Sequence, residues 1–100
     1  MQRQKQLTTQ AETLANFGLA SANRGDYPQA ISQLRDAIEQ CGKCASRPVM
    51  YKDLALVECK SGNLQGCEKD LLTAQSLKPE DQDVAKALAI VRLGKVKDRN

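Results

Sequence analysis

The stretch Gly25-Asp26-Tyr27-Pro28-Gln29-Ala30-Ile31 returns 37 residues later, in altered form, as Gly62-Asn63-Leu64-Gln65-Gly66-Cys67-Glu68. The same offset relates Gly25 to Gly62, Asp26 to Asn63, Tyr27 to Leu64, Ala30 to Cys67, Leu34 to Leu71 and Ala37 to Ala74. Self-similarity at such a period marks a supersecondary unit that cannot bury its apolar face alone, so that stacked copies build the core. A second recurrence runs through the first. A large residue followed by a small one occurs as Phe17-Gly18, Leu54-Ala55 and Leu88-Ala89, spaced 37 and then 34 residues apart. The large member is expected to fill the core and the small one to let a neighbouring helix come close.

The units read as helices. One hundred residues allow one domain with a small core. Phe17, Tyr27 and Tyr51 are the chain's aromatic residues, so the core must be built from Leu, Ala, Val and Ile at close approach, which suits packed helices. Residues 1–8 are polar and expected to fray as a flexible N-terminus. Thr9-Gln10-Ala11-Glu12 fits a capping box that opens the first helix, with Leu14, Phe17, Gly18 and Ser21 on one stripe. Gly25 ends that helix, Asp26 caps a second, and Pro28 is tolerated in its first turn. Ala30, Ile31, Leu34, Ala37, Ile38 and Cys41 form the second apolar face, stopped by Gly42-Lys43. Ser46-Arg47-Pro48 opens a third helix whose inward stripe holds Met50, Tyr51, Leu54, Ala55 and Glu58, flanked by Leu56 and Val57. Asn63 caps a fourth, with Leu64, Cys67, Leu71, Leu72 and Ala74 inward, and Leu77-Lys78-Pro79 stops it. Glu80, Asp81 and Asp83 lie at the start of a fifth, and Lys95, Lys97 and Arg99 at its end, as the helix macrodipole favours. The expectation is five helices and no sheet.

Here the chain resembles the tetratricopeptide repeat (TPR) family, a helix-turn-helix of 34 residues with a large–small pair in its first helix and a Gly-Asp/Asn-aromatic turn. The resemblance covers about residues 11–97. It implies an all-α domain over 9–97, with repeat one at 11–44, repeat two at 48–81 and a capping helix at 82–97, in a short right-handed solenoid. The chain departs from the pattern at Gly42, where the family has proline, and in three extra residues, Ala45-Ser46-Arg47, between the repeats. The outer face of the last helix, with Ala85, Ala89 and Arg92, is small or charged and suits a cap, while Val84, Leu88 and Val91 are left to pack back.

In the family, first helices line a concave groove that holds a peptide. Carried over, the groove would take Glu12, Ala15, Leu19, Ala22 and Asn23 from the first helix. The third would add Val49, Lys52, Leu56, Cys59 and Lys60, and the fifth Asp83, Lys86, Ile90 and Leu93. Its floor would be Leu19, Leu56 and Ile90, with Lys52, Lys60 and Lys86 beside it. A protein segment with apolar anchors and acidic groups is complementary to such a surface. The cationic clamp of chaperone-binding relatives is missing, since Ala15, Leu19 and Asp53 stand at its positions.

Other chemistry is poorly supplied. A net charge of +3, with both signs mixed, gives no argument for nucleic acid, and no apolar run is long enough to span a membrane. The first residues lack the apolar centre of a signal peptide. There is no histidine, which removes the commonest general base and metal ligand. Asp26, Asp36, Glu39 and Asp53 are read as capping or solvated carboxylates. No catalytic residues, metal site or cofactor is expected.

The four cysteines form two local pairs, Cys41 with Cys44 and Cys59 with Cys67. Cys59 and Cys67 stand at similar distances from the turn between two antiparallel helices. Structural disulfides, which would imply a periplasmic or secreted protein, and free thiols in the cytoplasm both remain open, as do the lesser options of redox and metal chemistry. Cys41-Gly42-Lys43-Cys44 lies at the end of a helix opposite to the one that activates a thiol. The functional expectation is a non-enzymatic protein–protein interaction module. Its alternatives are an oligomerisation or spacer module of a larger protein, homo-oligomeric in the first case, and a thiol redox or metal-binding module.

Overall fold

The computed structural model describes residues 2–98 and, among these, the side chains of residues 8–95. Five helices follow one another: α1 (Gln2–Asn23), α2 (Tyr27–Cys41), α3 (Arg47–Lys60), α4 (Leu64–Leu77) and α5 (Gln82–Asp98). No strand occurs among the described residues. Each helix packs chiefly on its neighbours in sequence, giving an all-helical, repeat-like stack.

The turns explain the order. Gly25 and Gly62 have φ of 82° and 94°, a region that glycine enters without a Cβ clash. At each, the chain reverses in the same hydrogen-bonded way: the Asp26 N–H donates to the Ser21 carbonyl and the Asn63 N–H to the Glu58 carbonyl, both at 2.9 Å. Asp26 and Asn63 then cap the next helices, accepting from the Gln29 N–H at 3.3 Å and the Gly66 N–H at 3.0 Å. Asp81 does the same for α5, accepting from the Asp83 and Val84 N–H groups. The extra residues between the repeats are tied down. Ser46 donates to Glu12 of α1, and Arg47 donates to the Gly42 carbonyl at the end of α2 while lying over the Tyr51 ring.

The core divides into two clusters, and the large–small pairs decide the division. Leu54, the large member, belongs to the first cluster with Leu34, Ala37 and Ile38 of α2. Ala55, the small member, belongs to the second with Cys67, Leu71 and Ala74 of α4. The large residue therefore packs backward on the preceding helix pair and the small one forward on its own partner. Leu88 packs backward on α4 in the same way. Gly18 faces forward: a Cβ there would stand 2.8 Å from Leu34 Cγ and 3.2 Å from the Ala30 carbonyl oxygen. Leu34 is fully buried and has no room to move aside. Gly18→Val is accordingly expected to destabilise the protein by about 1–3 kcal/mol, seen in urea denaturation as a lower midpoint with an unchanged slope.

The same rule corrects one expectation. Phe17 does not fill the core; it is 57% exposed. No described helix precedes α1 for it to pack against. Ala89 is exposed at the opposite end because no described helix follows α5. Leu72 is also exposed rather than inward. The stripe Leu64, Cys67, Leu71 and Ala74 already faces the core, and Leu72 is turned about 100° from it. Nor does α1 begin at a capping box. It is helical from Gln2, so Thr9 and Glu12 lie inside it and the flexible segment assigned to residues 1–8 is helical from its second residue. Gln2-Arg3-Gln4-Lys5-Gln6 are all good helix formers. The dipole role assigned to the Lys97 and Arg99 side chains lies outside the described residues.

Candidate functional site

The predicted groove residues of α1 and α3 come together at one level. Glu12, Ala15, Asn16 and Leu19 of α1 face Ser46, Val49, Met50 and Asp53 across a depression of about 290 Å³. The α3 and α5 stripes meet where Lys52 lies 3.7 Å from Asp83. Along these stripes the apolar side chains stay in solvent: Leu56 is 40% and Ile90 70% exposed, and Val49 and Leu93 are also exposed. Leu19 is half-buried, whereas Asn23, Lys60 and Lys86 are exposed on their helices. Asn23 and Lys60 stand at the C-terminal ends of α1 and α3, away from the depression.

Lys52 differs from its expected role beside the groove floor. Its Nζ donates to Asp81 Oδ2 at 3.2 Å, a bond that raises the lysine pKa and holds the Asp81 carboxyl below its ordinary range. Its charge thus ties α3 to the start of α5. The signal was the trio Glu80, Asp81 and Asp83, read as favourable to the helix dipole at the start of α5; the contact of Asp81 and Asp83 with Lys52 was not legible. Next to it, burial pushes the Asp53 carboxyl up, against the opposing pull of Lys52. The charged residues that line the depression, Glu12 and Asp53, are both acidic, while Lys60 and Lys86 lie outside it.

Both cysteine pairs are at disulfide distance, with Cα–Cα separations of 5.2 Å in Cys41–Cys44 and in Cys59–Cys67. Cys67 is in the core and Cys59 packs against it. Among the described residues no three potential metal ligands gather, and no helix is long and apolar enough to cross a membrane.

One buried group had a sequence signal whose weight was missed: Glu58, a carboxylate on an apolar stripe. It is 1% exposed, and burial, aided by the facing Asp70 carboxylate, pushes its pKa up to about 8. It occupies the position that Ser21 holds in the first helix pair, 37 residues earlier, and Asp70 stands where the first pair has Gln33. Ser21 donates to Gln33 Oε1 at 2.7 Å. Where the first copy has a satisfied neutral pair, the second has two carboxyls.

No family model and no curated protein matches the chain.

Proposed function

We propose that this chain is a protein–protein interaction module of tetratricopeptide-repeat type, stacked as a short right-handed solenoid, that holds an extended segment of a partner protein along α1, α3 and α5. The observation that carries the reading is the exposure of Leu56 and Ile90, two large apolar side chains left in water on the stripes of successive first helices. Anchoring apolar side chains of a partner there removes that surface from water. The depression bounded by Leu19 and Val49 offers a further anchor point. Lys60 and Lys86 favour acidic groups in the segment, while Lys52 is engaged by Asp81 and Asp83.

The test compares the wild-type chain with a Leu56→Glu/Ile90→Glu variant as baits in a pull-down read by mass spectrometry. Both positions are exposed, so the variant is expected to stay folded and to lose the retained partner at least about tenfold, as for two apolar hot-spot residues. Equal retention by both baits overturns the reading. Phe17 supports a second one, in which the outer face of α1 associates with another copy. Light scattering then reports mass rising with concentration, and Phe17→Ser abolishes the rise.

A further inference from the structure

α2 and α4 make little contact with each other, and the gap between them is floored by Tyr51, Leu54 and Glu58 of α3. It forms a cavity of about 400 Å³ bordered by Arg35, Tyr51, Leu54, Glu58, Asn63 and Asp70, among others. This cavity shares no residue with the proposed groove: α3 gives it Tyr51, Leu54 and Glu58, whereas the groove takes Val49, Lys52, Leu56 and Lys60 of the same helix.

Its polar groups are incompletely paired. Glu58 Oε1 is buried and has no hydrogen-bond partner. Glu58 Oε2 has one cation, the Arg35 guanidinium, at 3.5 Å, and that side chain is 63% exposed. The equivalent place in the first helix pair is closed by the short Ser21–Gln33 bond. Here Glu58 is hydrogen-bonded to Asp70 through its own carboxyl proton, and no donor reaches Glu58 Oε1. A Cβ on Gly66 would stand 2.6 Å from Glu58 Oε2, so the glycine leaves the room in which the carboxyl sits. An orphaned buried acceptor calls for a donor, and two facing carboxyls call for a positive one.

We propose that the Glu58–Asp70 cavity binds an alkylammonium group, its N–H donors bridging the two carboxyls and its carbon stem lying against Ile38 and Leu54. An ammonium fits better than an anion, since it supplies the missing donors and offsets the facing acids. Binding displaces the Arg35 guanidinium from Glu58 and releases the Glu58 proton to solvent, which leaves a carboxylate paired with the cation. The charged groups that face Glu58 are Arg35 from α2 and Lys69 and Asp70 from α4.

The experiment is a two-dimensional amide NMR titration of the full oxidised chain with n-butylammonium chloride at constant ionic strength, with n-butanol as the uncharged control. Saturable shifts at Gly66, Lys69 and Asp70 are expected with the ammonium only. Because binding competes with the Glu58 proton, affinity is expected to rise about fivefold from pH 7 to 8 and less than twofold from pH 8 to 9. Arg35→Gln is expected to tighten binding by removing the internal competitor. Glu58→Gln and Asp70→Asn are each expected to abolish it. Asp70 is only half-buried, so Asp70→Asn tests the site even if Glu58→Gln fails to fold. N-acetyl-lysine methylamide distinguishes sources: its binding assigns the cavity to a partner's lysine side chain, and binding of butylammonium alone assigns it to a free amine. Absence of saturation with both cations, equal shifts with butanol, or undiminished binding in Asp70→Asn overturns the proposal.

Discussion

Leu34→Ala and Leu71→Ala are each expected to destabilise the protein by about 2–5 kcal/mol. The two leucines are equivalent positions of the 37-residue recurrence, and both are fully buried. Each sits in a separate core cluster, Leu34 with Met50 and Leu54, Leu71 with Ala55 and Leu88. Truncation removes the transfer free energy of the lost methyl groups and leaves a cavity that the helices close only partly. Because the clusters share no buried residue, the two losses are expected to add within about 0.5 kcal/mol. Total stability for a domain of this size is about 5–15 kcal/mol, so the double variant stands at the edge of unfolding. Urea denaturation followed by circular dichroism measures all three variants. A double variant much more stable than the sum requires would mean that the clusters are coupled across the Leu54-Ala55 pair.

The second large effect is a pH dependence set by Glu58. Its pKa is raised from the ordinary 4.5 to about 8 in the folded chain, chiefly by burial. Between those values the folded protein holds a proton that the unfolded chain has released. Stability therefore falls as pH rises through this window, by at most about 1.4 kcal/mol per pH unit, and levels off above it. Glu68 and Asp81 act in the opposite sense. Hydrogen bonds from Lys95 and Arg92 hold Glu68 below its ordinary range, and Lys52 does so for Asp81. Their contribution is present above the ordinary carboxylate values and is lost as pH falls through the lowered ones. The stability maximum is thus expected at mildly acid pH, about 4–5. Glu58→Gln, which imitates the protonated acid, is expected to flatten the fall and to be more stable than wild type at pH 8. Thermal unfolding between pH 4 and 9 decides this; an unaltered slope in the variant would assign the dependence to another group.

Much of the fold was legible because it depends on local chemistry. Asp26 and Asn63 cap as their positions after Gly25 and Gly62 require, and the stripes of α2 and α4 were legible apart from Leu72. Cys59 and Cys67 face each other because a turn brings equidistant residues of two helices together. What could not be read depends on neighbours that periodicity does not describe. Phe17 and Leu54 have the same place in the recurrence, yet among the described residues only Leu54 has a preceding helix to meet. The ion pair of Lys52 depends on where the Lys78–Asp81 segment lies, which its position in α3 does not give. Glu58 was placed inward, while its unpaired oxygen depends on the gap between α2 and α4, a property of three helices at once.

The position of the two cysteine pairs has a mechanical consequence. Cys41–Cys44 closes a tight loop at the end of α2, and Cys59–Cys67 clasps α3 to α4. Neither crosslink runs from the first helix pair to the second. Under tension between the termini, the α2–α3 contact can part without breaking a covalent bond. Residues 60–66, held inside the second loop, add nothing to the extended length until that bond is reduced. A chain pulled in oxidising solvent would therefore end shorter than the same chain pulled with reductant, with the α3–α4 turn still closed.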